Sequence, residues 1–149
     1  MKGAVLLALA GAVLAVIAGA LALPPQNAET STTPNLGPSA STQTLVYYFH
    51  ATVRCATCRR IEASTQETVT TRFAADIAAR RLAWLAVDVD EPANRHFVRD
   101  FRLYTRSVVV VDAKDPKRYK VLDRVWQLSQ DKETFQRYVE QEIRGFPRS

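Results

Sequence analysis

The sequence predicts an α/β fold, a central mixed sheet with helices on both faces, in the order β-α-β-α-β-β-α. Three observations carry this expectation. Apolar runs of strand length recur at Leu45–Ala51, Leu82–Val89 and Ser107–Asp112. Stretches with helical periodicity separate them. The only two cysteines, Cys55 and Cys58, stand where the first apolar run gives way to the first helical stretch.

Each element has its own signal. Leu45–Ala51 is continuously apolar and aromatic, as expected of a strand covered on both faces. From Ala56 to about Ala79, Ile61, Thr65, Val69, Phe73 and Ile77 recur every four residues, and Ala74 and Ala78 widen the stripe. This is the pattern of a long amphipathic helix, with a kink expected at Thr68–Thr71, where β-branched residues cluster. Leu82–Val89 is a second strand. Asp90, Glu91 and Pro92 supply a cap and a first-turn proline for a short helix to about Phe101. Val108 to Val111 form the centre of a buried third strand, Asp115-Pro116-Lys117 a turn, and Tyr119–Val125 a last strand. Ser129 or Asp131 caps a final helix with Phe135, Tyr138, Val139 and Ile143 on one face, and Gly145 and Pro147 stop it. Helices join the first three strands, so these are expected to be parallel with right-handed crossovers. A turn joins the last two, which should be antiparallel.

Before this domain (45–149) the chain reads differently. Met1-Lys2-Gly3 precedes an apolar run from Ala4 to Leu23 with no charged or polar side chain. Residues 1–23 are therefore a signal peptide or an N-terminal membrane anchor. The length suits an anchor, and the small-residue patterns Ala18-Gly19-Ala20 and Ala20-Leu21-Ala22 suit cleavage. Both readings place the domain outside the cytoplasm, membrane-tethered and facing the periplasm or exterior, or released there. Residues 24–44 are rich in Pro, Ser, Thr, Asn and Gln, and read as a flexible tether with a reach of roughly 25 Å.

The net charge of +5 falls after the tether, because the only charges before Leu45 are Lys2 in the leader and Glu29 in the tether, which cancel. Arg59-Arg60 and Arg80-Arg81 are doublets, not a basic stripe, and no nucleic-acid module surrounds them, so nucleic acid is excluded as a partner. The basicity is that of a solvated surface with some attraction to anionic lipid or acidic partners.

The chemistry lies in Cys55-Ala56-Thr57-Cys58. A helix N-terminus exposes unpaired N–H groups and about half a positive charge, which favours thiolate over thiol. Cys55, nearer solvent, is the expected attacking thiolate, and Cys58 the resolving thiol. Arg54, Arg59 and Arg60 add positive charge that should lower the thiol pKa further. Closing so short a loop gives only ~2 kcal/mol of chain entropy, against ~4.7 for a loop of about 100 residues, so the pair is a poor staple. His50 is a candidate proton shuttle or third ligand to a soft metal, with a solvent-facing strand-end histidine as the alternative. His96 reads as part of a solvated helix face. Two cysteines cannot complete a tetrahedral zinc site, but they can hold Cu(I), or As(III) with help from another thiol. Two readings stay open: a redox-active disulfide Cys55–Cys58 that needs no cofactor, and a dithiol carrier whose soft metal binds Cys55 and Cys58. Asp88 and Asp90 read as capping and solvated carboxylates, and Tyr104, Trp84 and Trp126 as core or rim aromatics.

Three stretches together carry a resemblance: Val46-Tyr47-Tyr48-Phe49-His50 with Arg54-Cys55-Ala56-Thr57-Cys58, Val87 to Phe97, and Leu103-Tyr104-Thr105-Arg106-Ser107-Val108-Val109. They resemble a small bacterial family labelled "nitrophenyl compound nitroreductase subunit", within the thioredoxin superfamily and met beside arsenic-resistance and small membrane-permease genes. The resemblance covers most of 45–143. It implies a thioredoxin-like fold and a protein thiol or disulfide partner, such as a membrane permease or an electron-donor protein. A nitroreductase needs a flavin, and after the tether only Gly145 remains to build a phosphate-cradling loop, so no flavin is expected. Two departures from ordinary thioredoxins stand out. Thr105-Arg106-Ser107 occupies the substrate loop where those proteins place a cis-proline. Tyr47 and Tyr48 stand where their first strand carries a buried carboxylate. Both departures weaken the case for general dithiol exchange and strengthen the metal reading.

Overall fold

Alternating side chains along the strands divide the core into two layers. The strands are β1 (Thr44–His50), β2 (Leu82–Asp88), β3 (Ser107–Asp112) and β4 (Tyr119–Val121), ordered β2-β1-β3-β4 in one sheet. The computed structural model describes Pro38 and residues 42–147. The leader and most of the tether expected from the sequence lie outside the described residues. Among these residues no helix is long and apolar enough to cross a membrane. At the start of the domain Thr42 is buried, Gln43 N–H donates to the Arg81 carbonyl at 2.9 Å, and β1 begins at Thr44.

One layer joins Val46 and Tyr48 of β1, Leu82 and Trp84 of β2 and Val108 and Val110 of β3 to the helices α1 (Ala56–Arg72) and α4 (Lys132–Gly145). These helices contribute Ile61, Val69, Phe135, Val139 and Ile143. The other layer gathers Phe49, Val109 and Val111 under Phe97 and Phe101, from and beside the short helix α3 (His96–Asp100). Burial from both sides explains why β3 is an unbroken run of valines. The result is a four-stranded mixed sheet with helices on both faces, a thioredoxin-like α/β arrangement.

The strand directions correct one expectation. β1 and β2 are parallel from Thr44↔Leu82 to His50↔Asp88, but β3 runs antiparallel to β1, from Thr44↔Asp112 to Phe49↔Ser107. The reason lies in the second connection. Its helical part is a 3₁₀ turn at Pro92–Asn94 and the five-residue α3. At about 1.5 Å per residue α3 advances only ~7.5 Å, well short of the ~23 Å of a seven-residue strand. The chain therefore re-enters the sheet at the end where it left. β4 pairs antiparallel with β3, as expected, but stops at Val121, and Asp123–Val125 is a 3₁₀ turn.

The first helix also departs from its expected form. Thr65, Thr68 and Thr71 hydroxyls donate to the carbonyls of Ile61, Ser64 and Glu67 at 2.7 Å, satisfying themselves within the helix. α1 runs through this stretch and breaks at Phe73 (φ −122°, ψ 23°), whose ring is buried in the core. The Arg144 guanidinium lies 4.9 Å from that ring, and its Nη2 donates to the Arg72 carbonyl. The helix α2 (Ala74–Ala78) follows, with Ala74 and Ala78 exposed rather than widening the buried stripe. Asp131 caps α4, accepting from Thr134 N–H at 3.1 Å.

Both short helices end through arginines in left-handed geometry, Arg80 (φ 56°) and Arg102 (φ 50°). Leu103 N–H reaches back to the Val98 carbonyl at 2.9 Å, and Arg102 N–H to Arg99 at 3.2 Å. These two bonds define a Schellman cap, in which glycine is the usual residue at the left-handed position. Replacing Arg102 by Gly should raise stability by up to ~1 kcal/mol, while Arg102→Val should lower it by at least as much. Urea denaturation midpoints of the full chain measure both.

Candidate functional site

β1 delivers the chain to the disulfide. After His50 it turns through Ala51 to Arg54, and Cys55 takes the N-cap of α1 with extended geometry (φ −76°, ψ 166°). The Cys58 N–H donates to Cys55 Sγ at 3.0 Å, so sulfur does the capping. Cys55 and Cys58 are disulfide-bonded, with 5.1 Å between their Cα atoms. Their surroundings differ. Cys55 is exposed, whereas Cys58 is 3% exposed against the core. One sulfur is open to a partner and the other is shielded.

The turn before Cys55 is held from three sides. Thr52 donates its N–H to Asp90 Oδ2 at 3.0 Å and its hydroxyl to Asp88 Oδ2 at 2.7 Å. Arg59 Nη1 donates to the Arg54 carbonyl at 2.8 Å. Arg54 pairs with Glu62 and also donates to His50 Nε2. Asp88 and Asp90 are thus the anchors of the turn that presents Cys55, not the caps of the following helix. The 3₁₀ turn at Pro92 has no side-chain cap. The Asp88 carboxyl is held below its ordinary value of 3.8, chiefly by the Thr52 hydroxyl and, against the opposing effect of burial, by the Asp90 N–H.

His50 is buried, 5% exposed, rather than facing solvent. Arg54 can only donate, so His50 Nε2 must accept. The ring proton then sits on Nδ1, which lies 3.0 Å from the Ala51 carbonyl. Both ring nitrogens are therefore engaged. Tyr48, on the same face of β1, donates its hydroxyl to the Cys58 carbonyl at 2.8 Å. Burial, reinforced by the Glu62 charge and opposed by Arg54 and Arg106, pushes its pKa up to about 12, so it remains a donor.

Arg54, Arg59 and Arg60 surround the pair as the sequence suggests, but not as equal charges. Arg54 shares its charge with Glu62, Arg59 is tied to a backbone carbonyl, and Arg60 is exposed with no ion pair among the described residues. Glu62 escaped the sequence reading, although its spacing of four from Cys58 places both on one helix face.

Thr105-Arg106-Ser107 meets this end of the sheet because β3 is antiparallel to β1. Ser107 pairs with Phe49, and Ser107 Oγ donates to the Thr105 carbonyl at 2.8 Å. Trp126 Nε1 donates to the Arg106 carbonyl, also at 2.8 Å. A cavity of about 200 Å³ separates Thr105 and Arg106 from His50 and Ala51. Tyr104, 97% exposed, stands at its rim, and Val53 in the cysteine turn is 82% exposed. Trp84 is buried, Trp126 half-buried, and His96 exposed. Among the described residues no group of three or more His, Cys, Asp or Glu is arranged to hold a metal ion.

Comparison with known proteins gives no further guide: no family model matches the chain, and neither curated proteins nor solved structures yield a significant match.

Two outcomes follow from this geometry. Tyr48→Phe should cost about 1 kcal/mol in urea denaturation, because the buried Cys58 carbonyl loses its donor. Acid should loosen the cysteine turn. A carboxyl that binds its proton less readily folded than unfolded contributes stability above its unfolded pKa and loses it as pH falls through the folded value. Stability measured from about pH 5 to pH 2 should therefore fall less steeply in Asp88→Asn than in wild type.

Proposed function

We propose that the protein is a thiol–disulfide oxidoreductase. The observation that carries this reading is the asymmetry of the pair: Cys55 is exposed and caps a 17-residue helix, while its partner Cys58 is buried one turn in. In the reduced protein the Cys58 N–H and the helix terminus favour the Cys55 thiolate. That thiolate attacks one sulfur of a partner disulfide, forming a mixed disulfide and releasing the other sulfur as thiolate. Cys58 then loses its proton and attacks Cys55. The Cys55–Cys58 bond forms, the mixed disulfide breaks, and the second partner thiolate leaves and is protonated. Two electrons pass from the dithiol to the partner, and the reverse sequence oxidises a partner dithiol.

The apolar leader and polar tether of the sequence support a site of action outside the cytoplasm, tethered to the membrane or released. There the partner is a protein thiol or disulfide, and a reducing role requires an electron donor across the membrane. The family resemblance adds a membrane permease as the kind of protein served.

The full chain and two variants test the exchange. The reduced protein should react with bis(2-hydroxyethyl) disulfide, and Cys55→Ser should bring the rate to the uncatalysed level. Cys58→Ser should stall as a mixed disulfide on Cys55, visible by mass spectrometry. Turnover by Cys55→Ser at the wild-type rate would sink the reading.

A further inference from the structure

The end of the sheet remote from the disulfide carries charge and aromatic surface that thiol exchange does not use. A groove of about 560 Å³ opens there between α3 and the turn joining β3 to β4. Phe97, Phe101 and Tyr119 line it, with ring centroids 5.8 Å apart for Phe97 and Phe101 and 5.0 Å for Phe101 and Tyr119. Phe97 and Tyr119 are only half-buried, because the five-residue α3 is too short to roof this face of the sheet. Arg102 and Lys117, both exposed, line the same groove. Segments 99–102 and 112–118 together hold five cations (Arg99, Arg102, Lys114, Lys117, Arg118) against three carboxylates (Asp100, Asp112, Asp115), a net of +2, and Asp112 is buried. Among the described residues Arg102, Lys117 and Arg118 form no ion pair.

Backbone bonds place this surface beside the point where the chain enters the domain. Gln43, the residue before β1, accepts from Ala113 N–H at 3.0 Å. Tyr119 pairs with Val111, and Val111 with Leu45, one residue into β1. The tether therefore arrives at the basic turn. Cys55 follows the other end of β1, ~23 Å along for a seven-residue strand. Arg102 also holds its left-handed cap at a conformational cost that glycine would not incur, so its side chain is kept against the preference of the cap.

We infer that this corner of the domain docks on the anionic headgroups of the bilayer that holds the leader. The inference rests on the leader as a retained anchor, not on exchange. Anionic lipid attracts each nearby Lys or Arg by roughly fivefold in partition, over about a Debye length. Half-buried Tyr and Phe rings suit the interfacial zone. A tether with a reach of roughly 25 Å keeps the lipid at an effective concentration of about millimolar, so a weak patch suffices. An acidic protein partner gains nothing from that proximity. Docking by this corner leaves Cys55 at the far end of the sheet, away from the headgroups.

The full chain, one per disc, is held in nanodiscs of phosphatidylcholine with or without phosphatidylglycerol. Acylation of Lys117 by a water-soluble N-hydroxysuccinimide ester is read by mass spectrometry. It is divided by acylation of Lys132, whose side chain is 61% exposed on α4, across the sheet. The ratio should fall on the order of fivefold in the anionic discs and recover at high salt. Arg102→Gly with Arg118→Gln should abolish the fall, and the glycine keeps the cap folded. Equal ratios in the two kinds of disc overturn the inference. Protection in neutral discs that salt does not relieve also overturns it, and assigns the face to a protein segment. Protection that survives the double variant overturns the role of this corner. Recovery of the chain in neutral discs tests the anchor separately. A chain that stays outside the discs is probed with phosphatidylglycerol vesicles, where the same protection is expected and its absence overturns the site.

Discussion

The Cys58 N–H donates to the Cys55 sulfur at 3.0 Å, where an oxygen of serine, threonine or aspartate usually begins a helix. The rest of the molecule follows from having to keep sulfur in that place. A helix that starts on a reactive atom needs its first residues fixed by something else. Here the fixing comes from β1, whose last residue enters directly into the turn, and from β2, whose trailing Asp88 and Asp90 hold Thr52. Parallel pairing of β1 and β2 is what brings those carboxylates to the cysteine end of the sheet. Antiparallel pairing of β1 and β3 brings Thr105 and Arg106 there as well. Two opposite strand directions, meeting on one central strand, assemble the site from three distant parts of the chain.

Charge around the disulfide is divided rather than summed. A simple count of Arg54, Arg59 and Arg60 suggests a strongly positive setting for the thiols. The structure removes much of that by pairing Arg54 with Glu62 and directing Arg54 also to His50. Arg54 then acts as a strut between the turn, the strand and the helix, and it fixes the tautomer of His50. Arg106 lines the cavity at the same end of the sheet. In the proposed exchange the helix terminus and the Cys58 N–H supply the field at Cys55.

The sequence made the layers and two of the three strand pairings legible, and left the direction of β3 against β1 unreadable. Runs such as Val108 to Val111 say that both faces of a strand are covered, but an apolar run has no arrow. The direction of β3 depended on how little helix the connection after Asp88 contains, and Pro92 marked a helix start without marking its five-residue length. Arg80 and Arg102 were hidden for a related reason. Left-handed caps are normally recognised by glycine, and here arginine fills both. His50 was more legible than its reading allowed. It falls in step with Val46 and Tyr48 along β1, which places it on the buried face. Glu62 was legible only once Cys58 was fixed on the helix, one turn earlier.

Tyr48 limits where a proton of Cys58 can go in the proposed exchange. It stands on β1 and bonds to the Cys58 carbonyl, where the resemblance to thioredoxins would place an acid. An acid there can accept the proton of the buried thiol. A tyrosine pushed up to about 12 cannot, because it remains protonated and spends that proton on the Cys58 carbonyl. In the proposed exchange the proton of Cys58 must therefore leave by another route: to the departing partner thiolate, or to the His50–Arg54–Glu62 group, whose Nε2, guanidinium and Oε2 already bond to one another. The first route requires no rearrangement. It makes the partner's own sulfur the base for its release, so a more basic leaving thiolate draws the proton more strongly while departing less readily. A site built this way does not treat all disulfides alike. In the proposed exchange its selectivity is then a property of the substrate's own sulfur.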